Sequence, residues 1–258
     1  MCRDLQYWIK RAQEYGERSI MDLDPKRGSY DEKLRMLAFH RAIKLRKDMK
    51  VLDVGCGNGS WSIILAKAGC KVTGIDFVES LINTAKHNAM KAGVAVDFTT
   101  ESIETYERDR QAYDLVITVT VLQHITCNNR LARALSNIRA LLKPKGQFLT
   151  IEYMPRKLSR NSQSSDYMVL RQRDEWLRLF REAGFHVTKE LGVRIIGFRL
   201  YNLCKCDLAL DLSLVVDKFL TAIPIISEKY SDTRLVVLNT NTNSPGGNNA
   251  DSKEFLAV

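Results

Sequence analysis

The chain lacks any uncharged apolar run of about 18 residues, the length a membrane span requires, so no segment reads as one. Its first residues, Met1-Cys2-Arg3-Asp4-Leu5-Gln6, are charged and lack the apolar block of a secretory signal. Only 5 prolines and 14 glycines occur in 258 residues, which excludes collagen-like and low-complexity chains. The six cysteines (2, 56, 70, 127, 204 and 206) are too scattered for a disulfide framework and read as reduced thiols of a cytoplasmic protein. Cys204-Lys-Cys206 has no second pair and no nearby histidine, so no metal site is expected. What is present is ordinary for a globular chain, with 45% apolar and 27% charged residues and enough length to bury a core. One excess stands out: 39 Lys+Arg against 30 Asp+Glu, a formal charge of +9. Nucleic acid, an acidic small substrate, a membrane surface and a merely solvated surface all fit that number.

The centre of the chain alternates between strand and helix patterns. Lys50–Val54, Lys71–Ile75, Val94–Thr99, Tyr113–Val119 and Gln147–Glu152 are β-branched runs. Helices fit Trp61–Ala68, with Gly69 as its stop, Glu79–Lys91, ending at Gly93, and Asn129–Leu142, whose Leu131, Leu135, Ile138 and Leu142 share one face. Lys143-Pro-Lys-Gly146 reads as a turn. A helix over Arg171–Ala183 and strands over Phe185–Val193 and Arg234–Asn239 follow. Such alternation predicts an α/β fold, a doubly wound sheet with helices on both faces. Residues 1–48 read as an N-terminal helical cap, 49–239 as the main domain with a helical insertion near 198–228, and 240–258 as a disordered tail. The charges inside 208–226 (Asp211, Asp217, Lys218) argue for a packed helix pair over a membrane anchor. Arg171, Arg173 and Arg178, beside Trp176 and Phe180, read as a solvated basic face.

Chemistry concentrates in Val51-Leu-Asp-Val-Gly-Cys-Gly-Asn-Gly59. Gly55, Gly57 and Gly59 let the backbone turn tightly between a strand and a helix and approach a ligand closely. Asp76 ends the next strand, about 20 residues beyond Gly55, where a ribose hydroxyl pair would be held. A dinucleotide pyrophosphate wants bare amides and no adjacent carboxylate, yet Asp53 stands two residues before Gly55. That acid suits a cationic cofactor, and S-adenosylmethionine brings an amine, a sulfonium and a ribose.

With Tyr113-Asp-Leu-Val-Ile and Leu141-Leu-Lys-Pro-Lys-Gly146, the run Val51–Asp76 resembles the class I S-adenosylmethionine-dependent methyltransferases, in particular their small-molecule (type 11/12-like) branch, over residues 45–190. The resemblance implies a Rossmann-like seven-stranded sheet whose last strand is antiparallel and inserted beside the fifth. It also implies that Asp53, Gly55, Gly57 and Asn58 surround the methionine part, with Cys56 and Gly59 of the same loop also cofactor-binding, that Asp76 binds the ribose, and that Phe77, Glu101 and Ser102 border the adenine. Thr118 would open the segment under the methyl group. Tyr7, Arg11 and Tyr15, spaced by four in the first helix, fit either a lid in which Arg11 meets the cofactor carboxylate or a helix docked on the core.

The sulfonium methyl is already activated, so the protein chiefly aligns an acceptor with it, and a base is needed only if the acceptor must lose a proton. His124, after the fourth strand, is the base candidate or else a structural residue; Glu152 and Tyr153 end the fifth strand on the same rim and would orient an acceptor. The Asn/Asp-Pro-Pro-aromatic motif of nucleobase amino-methyltransferases, a Pro-Cys nucleophile and the paired glutamates of protein arginine methyltransferases are all absent. The expectation is therefore a methyltransferase acting on an oxygen or nitrogen of a small molecule, with 1–48 and 198–228 roofing the acceptor. The alternatives are RNA or protein as the acceptor, and a non-catalytic scaffold that binds the cofactor. The surplus lysines and arginines lie outside the cofactor motifs; if they have a function, the acceptor is acidic or phosphorylated.

Overall fold

A computed structural model describes residues 3–16, 19, 24–158, 163–196, 202 and 206–240. Helices α1 (Arg3–Tyr15) and α2 (Pro25–Ala42) precede β1 (Lys50–Val54), α3 (Ser60–Lys67), β2 (Lys71–Asp76), α4 (Glu79–Ala92), β3 (Asp97–Thr100) and β4 (Tyr113–Val119). A 3-10 turn (Leu122–His124) leads to α5 (Asn128–Leu141), β5 (Leu142–Tyr153), α6 (Arg173–Glu182), β6 (Phe185–Arg194), α7 (Asp207–Leu220), α8 (Pro224–Tyr230) and β7 (Thr233–Thr240). The strand order is β3-β2-β1-β4-β5-β7-β6, with β7 antiparallel to both neighbours. This is the seven-stranded Rossmann-like arrangement that the motifs imply.

Side chains alternate across each strand, and that alternation sorts the core into two layers. Leu52, Val116, Phe148 and Leu238 face α5 and α6. Val51, Leu115, Ile117, Leu149 and Val237 face α2 and α3, joined by Leu210 of α7. Asp53 has the parity of Val51, so it points toward α2 and α3. Thr118, Thr150 and Glu152 have the parity of Val116 and Phe148 and point the opposite way.

Helix boundaries follow local chemistry. Asp24 caps α2 by accepting from the Lys26 and Arg27 amides at 3.0 and 3.5 Å, and Pro25 supplies the fixed φ of the first turn. Gly93 closes α4 at φ 68°.

Several expectations change. The segment 143–146 is not a free turn: it belongs to β5, where Tyr113 pairs with Leu142 and Leu115 already with Gln147, so the extra residues bulge out. Within 1–48, α2 also packs on the sheet as part of its covering layer. Residues 197–201 and 203–205 of the expected insertion, and the expected tail from 241, lie outside the described residues. The described part of the insertion does not roof the cavity. α7 packs on α2, and its buried Asp217 accepts from the Ile195 and Ile196 amides and from Tyr30. Its outward face carries exposed Leu208, Leu212, Val215 and Phe219. Arg171 is no solvated base: it is fully buried over the Trp176 ring and bonded to Asn128 and the Ile125 carbonyl, while Arg173 pairs with Glu190. Arg178 alone of the three is exposed, paired with Glu182. Among the described residues no helix is long and apolar enough to cross a membrane, and no three metal-type ligands cluster.

Candidate active site

At the carboxyl ends of β1, β2 and β4 lies a cavity of about 570 Å³. Its first wall is the loop after β1 with the tip of β2. The Gly55 and Cys56 amides both donate to the Ile75 carbonyl, folding the loop back over β2. Gly55 has φ +67°, and a Cβ there would lie 2.6 Å from the Val121 side chain, so glycine is required on both counts. Asp76 accepts from the Gly57 amide at 3.0 Å and the Val78 amide at 2.9 Å, which fixes its carboxylate on the cavity wall. Asp53 accepts from the Ser62 hydroxyl at 2.6 Å. Burial pushes the Asp53 carboxyl up to about 7 against the pull of that hydroxyl, and Asp76 and Glu32 add to the rise. Burial likewise pushes Asp76 up to about 6, against its backbone bonds. Cys56, Asn58, Phe77, Glu101 (paired with Arg108) and Ser102 line the same cavity. Gly57 and Gly59 stand behind it; they shape the loop, and Gly59 caps α3 at φ 82°.

The second wall comes from α1, α2 and the turn after β4. His124 lines the cavity with both ring nitrogens engaged. A carbonyl can only accept, so the 2.8 Å contact to Tyr167 O places the proton on Nδ1. The Tyr153 amide donates to Gln123 Oε1, which turns the Gln123 amide nitrogen toward His124 Nε2 at 3.3 Å. Burial, opposed by the Tyr167 bond, pushes His124 down to about 4. The ring is neutral at physiological pH and edge-on to Trp8 at 4.7 Å.

Six other expected positions (Tyr7, Arg11, Tyr15, Thr118, Glu152 and Tyr153) lie outside the cavity lining. Glu152 is fully buried beneath the turn and accepts from the Val121, Leu122 and Gln123 amides at 3.1, 2.9 and 3.3 Å. Burial pushes its carboxyl up to about 7. Thr118 donates to Thr150 at 2.8 Å on the same inward face, and neither it nor Tyr153 lines the cavity. Arg11 turns away: it donates to the Ser19 carbonyl and to Tyr7 and lies over the Tyr15 ring. Tyr7 stacks on Tyr167 at 3.9 Å. Of this stripe only Tyr7 meets the 163–172 segment; α1 also packs through Ala12 on Val78 and Leu81, and its adjacent face (Asp4, Leu5 and Trp8) meets the cavity.

Sequence reasoning missed the residues that close this wall. Asp4 is 1% exposed and joined to Arg130, which also grips Glu104. Although burial pushes the Asp4 carboxyl up, the Thr126 and Arg130 bonds hold it below the usual range. From α2 come Asp31, Glu32 and Arg35, and from α3 Trp61. The capping signal of Asp24-Pro25 announces α2 but not which of its faces meets the site. In all, seven carboxylates (Asp4, Asp31, Glu32, Asp53, Asp76, Glu101, Glu104) and two arginines (Arg35, Arg130) line the cavity. The chain's positive excess is therefore not concentrated in this cavity.

Residues 45–184, more than half of the chain, match a family model described as a methyltransferase domain. The ubiquinone biosynthesis O-methyltransferase of Coxiella burnetii is 39% identical over 101 residues, covering 39% of this chain and 42% of the relative. That of Xylella fastidiosa is 30% identical over 168 residues, covering 58% of this chain and 66% of the relative. The chain thus matches less than two thirds of the length of these curated relatives. Among solved structures, phosphoethanolamine N-methyltransferase 1 of Haemonchus contortus, in complex with phosphoethanolamine and S-adenosylhomocysteine, superposes with a TM-score of 0.66 at 15% identity. That alignment covers 95% of this chain and 51% of the other, and shows the fold.

Proposed function

Since the chain belongs to the class I S-adenosylmethionine-dependent methyltransferases, we propose that it transfers a methyl group from that cofactor to a small-molecule acceptor. An oxygen is favoured over a nitrogen because the curated relatives carry an O-methyltransferase name. The observation that carries the reading is the pair of buried carboxylates at adjacent strand tips, Asp53 and Asp76, on the wall of an acid-rich cavity. Both have their pKa raised by burial, so a cationic ligand that keeps them ionised gains from each. A dinucleotide would place its pyrophosphate against the same acids and lose.

The residues present fit the cofactor. Asp76, fixed by the Gly57 and Val78 amides, would hold the ribose hydroxyls. Phe77, Glu101 and Ser102 would border the adenine. Arg130 is consumed by Asp4 and Glu104, whereas Arg35 reaches Asp31 at 3.7 Å, long for a hydrogen bond. We therefore assign the cofactor carboxylate to Arg35 in place of Arg11. The bound cofactor supplies an activated methyl group. The chain orients the acceptor against it and keeps water out, with Leu5 and Trp8 of α1 as the cover. His124 is assigned to the acceptor wall as a neutral, fixed ring rather than as the base.

The test is incubation of a cell extract with the enzyme and deuterated-methyl cofactor, followed by mass spectrometry. Label in a small metabolite is the expected result. Label confined to RNA or protein would overturn the acceptor class, and no label at all would overturn the reading.

A further inference from the structure

Of the seven cavity carboxylates, most already have fixed partners. Asp4 and Glu104 share Arg130, Asp31 bonds Arg194 at 2.8 Å, and Glu101 pairs with Arg108. Asp53 holds Ser62, and Asp76 holds two backbone amides. Glu32 differs: one of its carboxylate oxygens is buried with no hydrogen-bond partner among the described residues. Such an oxygen is costly to leave unpaired, and it calls for a donor.

The surroundings narrow what that donor is. Burial raises the Glu32 carboxyl, while Arg35 and the Trp61 indole pull it back and Asp31 adds to the rise. The same carboxyl raises Asp53, so the two acids lie within electrostatic range. Glu32 and Arg35 are three positions apart on α2, which puts them on one side of the helix, and both line the cavity with Asn58 and Trp61. A carboxylate and a guanidinium offered side by side match a ligand that carries an ammonium and a carboxylate on one carbon. The cofactor's methionine end is such a group. Its sulfonium has no N–H to give, whereas its ammonium has three.

We propose that Glu32 receives the ammonium of the cofactor's amino-acid end, opposite Arg35 on its carboxylate, so that α2 clamps the zwitterion from the helical side of the cavity. This rests on the cofactor reading above. It makes Glu32 a positioning residue for the methyl group, acting through the bound cofactor and touching no acceptor.

The test uses two ligands and needs no acceptor. S-adenosylhomocysteine keeps the amino-acid group but has no sulfonium, so the ammonium is its only cation; 5′-methylthioadenosine lacks the amino-acid group altogether. Calorimetric titration of wild type and Glu32→Gln with both is expected to show S-adenosylhomocysteine weakened tenfold or more and 5′-methylthioadenosine unchanged. Retained binding of 5′-methylthioadenosine also shows that the variant folds. If Glu32→Gln binds both ligands as wild type does, or loses both equally, the proposal is overturned. If wild type binds neither, the cofactor reading itself fails and takes this inference with it. A Glu32→Asp variant that recovers part of the S-adenosylhomocysteine affinity is expected; one that behaves like a mere cavity, no better than Glu32→Ala, contradicts a charge role.

Discussion

On one wall of the cavity, Asp53, Gly55 and Asp76 are placed by the backbone: each sits at a strand tip or in the loop that the Ile75 carbonyl ties down. On the opposite wall, Leu5, Trp8, Glu32 and Arg35 come from two helices upstream of the sheet. α1 is held by the Asp4–Arg130 ion pair, the Tyr7–Tyr167 stack and the Arg3–Asp166 contact. The first wall is part of the sheet; in the second, α2 is packed on the sheet and α1 is held by these contacts and by Ala12 on Val78 and Leu81. A ligand's adenosine half would thus meet the sheet's edge and its reactive half surfaces from the two upstream helices.

Breaking the lock beneath the reactive half has the largest expected effect. Glu152→Leu leaves three amides of the 3-10 turn without their acceptor, a loss on the order of 3 kcal/mol, or roughly 6–12 °C in Tm by calorimetry. A variant with wild-type Tm but no activity would instead return Glu152 to the catalytic role that its position in the sequence suggests. Arg130→Met strands the buried Asp4 and should cost about 2–3 kcal/mol, concentrated in α1. Hydrogen exchange checks this: amides of α1 lose protection while β1 and β2 keep theirs.

The strand-tip wall should respond to pH. Asp53 and Asp76 have folded pKa values of about 7 and about 6, above those of exposed carboxylates, so the free protein binds more protons than its unfolded chain between about pH 4 and 7. Their contribution to stability therefore falls as pH rises through that window. A cationic ligand favours the ionised forms, so S-adenosylmethionine affinity is expected to drop roughly tenfold from pH 8 to 6, with protons released on binding. Calorimetry in buffers of different ionisation enthalpy reads both. The smallest effect is Arg11→Ala: with its guanidinium on the Ser19 carbonyl and Tyr7, cofactor affinity should change less than about twofold, well within what a loosened surface contact does.

The same division explains how much was legible in the sequence. Alternating strands and helices, the glycine loop and the acid at the tip of the next strand depend on local spacing, and the sheet order follows the resemblance they carry. Glu152 and Tyr153 misled because rim position says nothing of parity: Glu152 shares a face with Phe148 and points into the α5 side. Tyr7, Arg11 and Tyr15 form the more conspicuous stripe of α1, but Tyr7 stacks on Tyr167, distant in the chain, Arg11 bonds the Ser19 carbonyl and Tyr15 is exposed. Glu32 and Arg35 carry no motif at all; only the packing of α2 on β6 and β7 turns them to the site.

The strand-tip wall is assigned to a nucleoside held by Asp76. Titration of S-adenosylhomocysteine into wild type and Asp76→Ala tests that assignment most directly. Clear binding to wild type and a loss of about 100-fold, or about 2.7 kcal/mol, in the variant are expected. Equal affinity in the two proteins, with both folded by circular dichroism, would contradict the assignment.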